Sequence, residues 1–362
     1  NKKDMEEGEK NKLSSALMDR LLLDESRIDA MAAAIEQIAA LKDPVGRILD
    51  GWITEDGLNM QKVSIRIGVI GIIYESRPNV TSDTAALCFK SSNVCVLKGG
   101  KEAQNSNEEI AKILQDVLEA NNLPRALISL IPDSSREGVA KLIKMDKFVD
   151  LIIPRGGAGL IKYVSENATV SVVKHDKVQC HTYIHKDAKR DNAIAIAINA
   201  KVQRPGVCNA IDTLLVDRAI ASDALPKLKV EFDKAHTELK GCLETQAIID
   251  VENATDEDYD TEYLANILNI KVVDGVNGAI EHVVKFTSGH SEAIITENIT
   301  CAEEFLNAID AAAVYVNAST RFTDGGAFGF GAEVGIRTNK LHARGPMGIE
   351  GLTTYKFKIY GS

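Results

Sequence analysis

The chain has 362 residues, 45% hydrophobic and 26% charged, an ordinary globular balance that excludes a disordered chain and fits two or three domains of roughly 150 residues. Aromatic residues are few (9 Phe, 8 Tyr and 1 Trp), and a core built from Ala, Val, Ile and Leu suits helices over parallel strands better than an all-β sandwich. Lys and Arg number 42 against 52 Asp and Glu, a net charge of −10, and without a basic stripe interleaved with aromatics a nucleic-acid surface is excluded.

The opening residues, Asn1 to Glu7, carry neither a signal-peptide nor a transit-peptide pattern. Leu21 to Leu23, Ile28, Met31, Ile35 and Ile38 recur at steps of three and four and predict helices over 14–42. Ile67 to Tyr74 is a short apolar run that predicts a buried strand, followed by a helix over 81–91 capped by Thr81 or Ser82. Strands at Val94–Leu97, Leu127–Ile131, Val149–Ile153 and Val170–Val173 alternate with helices at Asn107–Ala120, Arg136–Met145 and Leu160–Glu166. That alternation predicts a parallel sheet covered on both faces.

A second alternating block follows, with helices at Asp191–Val202, Ser222–His236, Ala279–Phe286 and Ala302–Asp310. Its strands are read at Thr213–Val216, Val272–Val273, Ala293–Thr296 and Ala313–Val316. Two tandem doubly wound α/β domains result, and ligands of such sheets bind beyond the strand C-termini, which puts the chemistry in a cleft between the domains. Thr353 to Tyr360 alternates Tyr355, Phe357 and Ile359 with polar residues and reads as an edge strand. Apolar stretches such as Ala193 to Ile198 fall far short of the ~20 residues that span a bilayer, so no membrane association is expected.

Six cysteines (Cys88, Cys95, Cys180, Cys208, Cys242 and Cys301) lack C-x-x-C spacing and predict free thiols in a cytoplasmic protein. Cys208 stands out. It lies in Gln203-Arg204-Pro205-Gly206-Val207-Cys208-Asn209, a loop between a helix and a strand with a cation nearby, whereas most free cysteines are small buried hydrophobes. Asn79, just past a strand, is either a helix cap or an amide donor to a developing oxyanion. His175, His181 and His185 fall in strand-like sequence without ligand spacing, so no metal is expected. Gly157-Ala158-Gly159 opens a helix after a strand, but Lys162 stands where a dinucleotide fingerprint needs its third glycine. Lys98-Gly99-Gly100 ends a strand, where a lysine reaches a ribose or phosphate; the bland alternative is a plain turn.

Gly71 to Thr81, Lys98 to Gly100, Ile153 to Gly157, Gln203 to Asn209, Val314 to Gly326 and Leu341 to Gly348 together resemble the gamma-glutamyl phosphate reductase family of the aldehyde dehydrogenase superfamily, in order and over essentially the whole chain. The resemblance implies NADPH-dependent reduction of L-glutamyl 5-phosphate to the semialdehyde with release of phosphate. That is the second step of proline biosynthesis and depends on glutamate 5-kinase for its substrate. It makes Cys208 the nucleophile that forms a thioacyl enzyme, Asn79 the oxyanion amide, Lys98 (with Gly99) the adenosine-ribose contact and Glu262 the nicotinamide-ribose contact. It implies an NADP-binding domain over 1–56, 74–180 and 322–340, a catalytic domain over 181–321, and a small β flap for oligomerisation over 57–73 and 341–362, hence a homodimer or homotetramer. It also implies an N-terminus longer than the one that begins here at Asn1.

Where hydrolytic relatives carry a water-activating glutamate, this chain has Val172-Val173-Lys174-His175, and where reductase relatives often have glycines it has Lys174-His175-Asp176. An enzyme that exchanges its thioester with phosphate needs no such base. Arg321 is chosen as the anion clamp and Arg204 as the next candidate, each against the alternative of a surface ion pair; His342 and Arg344 are assigned to support of the C-terminal segment. The rival readings are a hydrolytic aldehyde dehydrogenase, a thiol hydrolase with a histidine base, and a non-catalytic relative.

Overall fold

The structure is a computed structural model that describes residues 1–173, 178–340 and 343–361. The chain forms two compact units, one of Asn1–Lys174, Gly325–Ile336 and Pro346–Ser362, the other of His175–Asp324 and Arg337–Gly345.

In the first unit, β1 (Ile48–Ile53), β2 (Asn59–Arg66), β3 (Val69–Tyr74), β4 (Val94–Lys98), β5 (Ile128–Leu130) and β6 (Leu151–Arg155) form two sheets. The larger is parallel, in the order β5-β4-β3-β6. Ile70, Ile72, Cys95 and Leu97 are fully buried, as central strands of a covered parallel sheet require. Helix Gln104–Ala120 has no side-chain cap of its own. The buried Asp4 carboxylate serves instead, accepting from Asn105 N at 3.1 Å and Ser106 N at 2.8 Å, which places negative charge on the helix N-terminus.

The smaller sheet is antiparallel, β1-β2 with the C-terminal strand Thr353–Tyr360. Tyr355 faces Ser64, Phe357 faces Lys62 and Ile359 faces Met60, so the alternation read in the sequence becomes one aromatic face. Trp52 meets Phe357 edge to face at 6.0 Å between ring centroids, and Trp52, Tyr355, Phe357 and Ile359 are all exposed.

The second unit is a seven-stranded parallel sheet of β7 (His181–Ile184), β8 (Thr213–Asp217), β9 (Glu238–Gly241), β10 (Glu252–Asn253), β11 (Ile267–Val273), β12 (Ser291–Ile295) and β13 (Ala313–Val316). Their order is β10-β9-β11-β8-β7-β12-β13. The α/β reading with parallel sheets therefore holds in both units. Val170–Val173, expected as a strand, contributes only a bridge from Val172 to Ile152, and the strand-like sequence around His181, given no bounds above, forms the central strand β7. No helix among the described residues is long and apolar enough to cross a membrane.

Candidate active site

In the second unit, helix Arg190–Val202 and β8 are joined by the loop 203–212, and Cys208 sits half-buried in a turn of it. The thiol side packs against the apolar core yet is not sealed within it. The loop is closed at its base by Ile211 N donating to Ala200 O at 3.1 Å. Beside that bond Lys201 Nζ lies 3.6 Å from Asp212 Oδ1, with Lys201 0% exposed. Burial pushes the Lys201 ammonium down and the Asp212 carboxyl up to about 6, the nearby ammonium opposing the latter.

The tip is held by a closed circuit of polar contacts. Cys180 Sγ donates to Cys208 O at 3.2 Å and lies 3.6 Å from His290 Nδ1. His290 Nδ1 meets Ser291 Oγ at 2.7 Å, and Ser291 Oγ meets Thr323 Oγ1 at 2.6 Å. Asn209 Nδ2 returns to Thr323 O at 2.9 Å, and Thr320 Oγ1 donates to Asn209 O at 2.7 Å. Burial keeps the Cys180 thiol well above its usual range, so it remains the S–H donor this circuit needs.

Because Asn209 joins the two loops, the segment carrying Arg321 lies against the one carrying Cys208. Arg321 Nε donates to Gln203 Oε1 at 3.1 Å. Burial lowers its pKa first and the Arg204 charge lowers it further, while Cys208 and Asp324 oppose both. Arg321 thus lies within electrostatic reach of both the Arg204 charge and the Cys208 thiol. Glu262 accepts from Val178 N at 3.2 Å, and its neighbour Tyr263 donates its N–H to Asp212 Oδ1 at 3.4 Å. The unit therefore gathers Cys208, Arg204, Arg321 and Glu262.

The first unit gathers the other three candidates at the C-terminal edge of its parallel sheet, where β3 and β4 lie side by side with Ile73 opposite Lys98. Asn79 is the first residue of helix Asn79–Lys90, whose cap position is Pro78. The expected cap by Thr81 or Ser82 is therefore corrected, and Asn79 is not a cap either: its Nδ2 donates to Asp83 Oδ2 at 2.9 Å. Thr81 instead joins a buried chain, Tyr74 Oη to Thr81 Oγ1 at 2.7 Å and Thr81 Oγ1 to Asn107 Oδ1 at 2.9 Å. Gly99 is required here, since a Cβ would fall 2.3 Å from Asn107 Nδ2. Lys98 is buried and donates to Gly99 O at 3.0 Å.

The aldehyde dehydrogenase family model matches residues 25–247. A gamma-glutamyl phosphate reductase from Sulfurimonas denitrificans is 80% identical over 359 residues, covering 99% of this chain and 88% of that protein; another, from Thermoanaerobacter pseudethanolicus, is 53% identical over 363 residues, covering 100% and 88%. The crystal structure of gamma-glutamyl phosphate reductase from Thermotoga maritima superposes with a TM-score of 0.97 at 48% identity, covering 100% of this chain and 87% of that one. The chain belongs to the aldehyde dehydrogenase family, and within it to the gamma-glutamyl phosphate reductases.

An acetylating aldehyde dehydrogenase from Geobacillus thermoglucosidasius, 19% identical with a TM-score of 0.68, covers 99% of this chain and 97% of its own and shares the fold. As a member of this family the chain is an oxidoreductase with a nicotinamide cofactor, and the first unit offers groups that fit one. The buried Lys98 ammonium spends one donor on Gly99 O and feels the Asp133 and Glu102 charges, and its other two N–H groups suit a ribose hydroxyl. The failed glycine fingerprint also has a physical counterpart. Gly157 N, at the start of helix Ala158–Asn167, donates to Glu75 Oε2 at 2.9 Å, so a carboxylate holds the position where a pyrophosphate would sit in the ordinary arrangement.

Lys174, His175, Asp176 and His342 lie outside the described residues. Arg344 pairs with Asp310, Nη1 to Oδ1 at 2.6 Å. Sequence reasoning passed over Lys201, Asn209, Asp212 and Asp83. The last was legible as an amide and a carboxylate four residues apart on a helix. Lys201 carried a weaker signal, a charge beside the buried Ala193, Ala197 and Ala200 of its helix.

Lys201→Met should lower stability by about 3 kcal/mol at pH 7.5, because it leaves a buried carboxylate without its cation. Asp212 is raised to about 6 even with the ammonium present. A carboxyl whose folded pKa is raised contributes stability below its unfolded pKa and loses it as pH rises through the folded value. The deficit should therefore shrink at pH 5, where Asp212 takes up a proton. Denaturant midpoints at the two pH values measure this, and an equal deficit at both would contradict the assignment.

Proposed function

We propose that this chain reduces L-glutamyl 5-phosphate to L-glutamate 5-semialdehyde with release of phosphate, as its named relatives imply. The observation that carries the reading is the half-buried Cys208 on a tightly held loop within electrostatic reach of Arg321, with Arg204 on the same loop. The Cys208 thiolate attacks the acyl carbonyl, the bond from carbon to phosphate oxygen breaks, and phosphate departs. The nicotinamide cofactor, when bound, supplies the hydride. The carbon–sulfur bond then breaks, releasing the aldehyde and restoring the thiolate. Asn79 donates a side-chain N–H to the carbonyl oxygen as negative charge develops, an interaction of about 3 kcal/mol in comparable sites. Arg321 and Arg204 hold the substrate's phosphate or carboxylate, with the planar guanidinium suited to two parallel hydrogen bonds. Lys98 and Gly99 receive the adenosine ribose and Glu262 the nicotinamide ribose, and the exposed Lys101, three residues after Lys98, offers a contact for the 2′-phosphate of NADP(H).

The exposed apolar face of Trp52, Tyr355, Phe357 and Ile359 serves as the contact with a second copy, giving a homodimer or homotetramer. An acyl phosphate is a reactive mixed anhydride, which supports close functional linkage to the kinase that makes it, glutamate 5-kinase.

Incubating the semialdehyde with NADP should reduce the cofactor only when inorganic phosphate is present. Reduction indifferent to phosphate would instead favour the hydrolytic reading. Cys208→Ala should abolish this turnover while cofactor binding, followed by fluorescence, stays nearly intact; a substantial residual rate would remove the thioester from the mechanism.

Arg321→Ala should raise KM for the acyl phosphate about 10- to 100-fold, the range for a lost charge-assisted hydrogen bond, with a smaller effect on kcat. Replacing Trp52 and Phe357 together by Ser should shift the assembly to a smaller species in sedimentation velocity. An unchanged sedimentation coefficient would remove the flap from the interface.

A further inference from the structure

Asn79 is useful as a donor only if its carboxamide presents nitrogen, not oxygen, to the substrate. An unconstrained amide has no reason to prefer one face, since the two ends differ little in shape. In this helix the choice is made one turn on. Asn79 Nδ2 donates to Asp83 Oδ2 at 2.9 Å. Ser82 Oγ donates to Asp83 Oδ1 at 3.3 Å and to Asn79 O at 2.9 Å, tying the carboxylate and the first turn together. A carboxylate only accepts, so it takes the NH2 end of the amide and repels the oxygen end. One of the two N–H bonds is spent on Asp83 and the other remains for a ligand.

Nothing in the helix itself calls for this carboxylate. Asp83 lies beyond the first turn, where the helix dipole favours anions most, and Asn79 is not the cap whose loss would fray the helix. Burial raises the Asp83 carboxyl, opposed by its bonds from Asn79 and Ser82 and by the Arg155 charge. Its placement is unfavourable except for what it holds.

We infer that Asp83 is a positioning residue which, through its hydrogen bond to Asn79, fixes the carboxamide with an N–H free to meet the developing oxyanion. This rests on the role proposed for Asn79 above.

The test is a double-mutant cycle on the full chain, with Asn79→Ala, Asp83→Ala and the pair, assayed by semialdehyde oxidation with NADP and phosphate. Asn79→Ala should lower kcat about a hundredfold and Asp83→Ala about tenfold, with KM for NADP unchanged in both. In the Asn79→Ala background Asp83→Ala should cost nothing more. Asp83→Asn, which keeps the shape and an acceptor oxygen, should recover part of the loss; it also carries the cycle if Asp83→Ala fails to fold. Equal losses from the Asp83 substitution in both backgrounds would overturn the inference and leave the Asn79 reading standing. An Asn79→Ala enzyme of full activity would overturn that reading itself.

Discussion

The site depends on a single constraint: a loop that carries the proposed nucleophile must be both reachable and fixed, and here it is fixed from below. Lys201 ends one side of the loop and Asp212 the other, and both are buried. Withdrawing two charges from water costs several kcal/mol per ion, and at 3.6 Å their attraction offsets that only in part. Such a pair is poor value as a stabiliser. It does specify geometry, because any loop conformation that separates the two leaves a charge stranded in apolar surroundings. The Tyr263 N–H on Asp212 extends the same anchor to the segment bearing Glu262. One buried carboxylate thus ties together the Cys208 loop and a proposed cofactor contact.

The charge balance makes a local demand. A molecule of net charge −10 repels a substrate that carries both a phosphate and a carboxylate, and screening over about 8 Å at physiological ionic strength weakens that long-range field. Attraction must therefore come from cations close to the thiol. Arg321 is partly withdrawn from water, which makes its hydrogen bonds stronger than those of a surface arginine and lowers its pKa, although a guanidinium stays protonated. Its bond to Gln203 holds the side chain beside the loop, so less rotamer entropy would be lost in the anion contact proposed for it.

What the sequence disclosed and what it hid divide along a physical line. The apolar runs of β3, β4 and β8 were visible because strands buried on both faces are nearly all Val, Ile and Leu. β7 showed only as strand-like sequence without bounds, for the opposite reason. His181, Thr182, Tyr183 and Ile184 are all buried, yet half of them are polar and show neither an apolar run nor an alternation. They are satisfied by residues remote in the chain: His181 Nδ1 meets Glu292 Oε2 at 2.9 Å and Tyr183 Oη donates to Asp217 Oδ2 at 2.9 Å. Val170–Val173 misled by the same logic, since an apolar run marks burial and not pairing. Cys208, Arg204 and Arg321 could be picked out because loop composition is local. Asn209 could not, because its importance lies in carbonyls more than a hundred residues away.

The polar interior of β7 and β12 has a consequence for the chemistry. A covered parallel sheet would be at least as stable with apolar residues at these positions, and a hydrogen-bonded network contributes little net stability over its desolvation cost. What it contributes is direction. Glu292 holds His181, Cys180 precedes that histidine and donates to the Cys208 carbonyl, and Ser291 precedes Glu292 and holds Thr323. Adjacent residues on two paired strands therefore grip two different loops, those of Cys208 and Arg321. Because the strands are locked by their backbone ladder at Glu292–His181 and Ala293–Thr182, neither loop can shift by an ångström without breaking a buried bond. The roles proposed for Cys208 and Arg321, a thiol set against a carbonyl and a cation against its charge, require tolerance of that order, and this pair of strands supplies it.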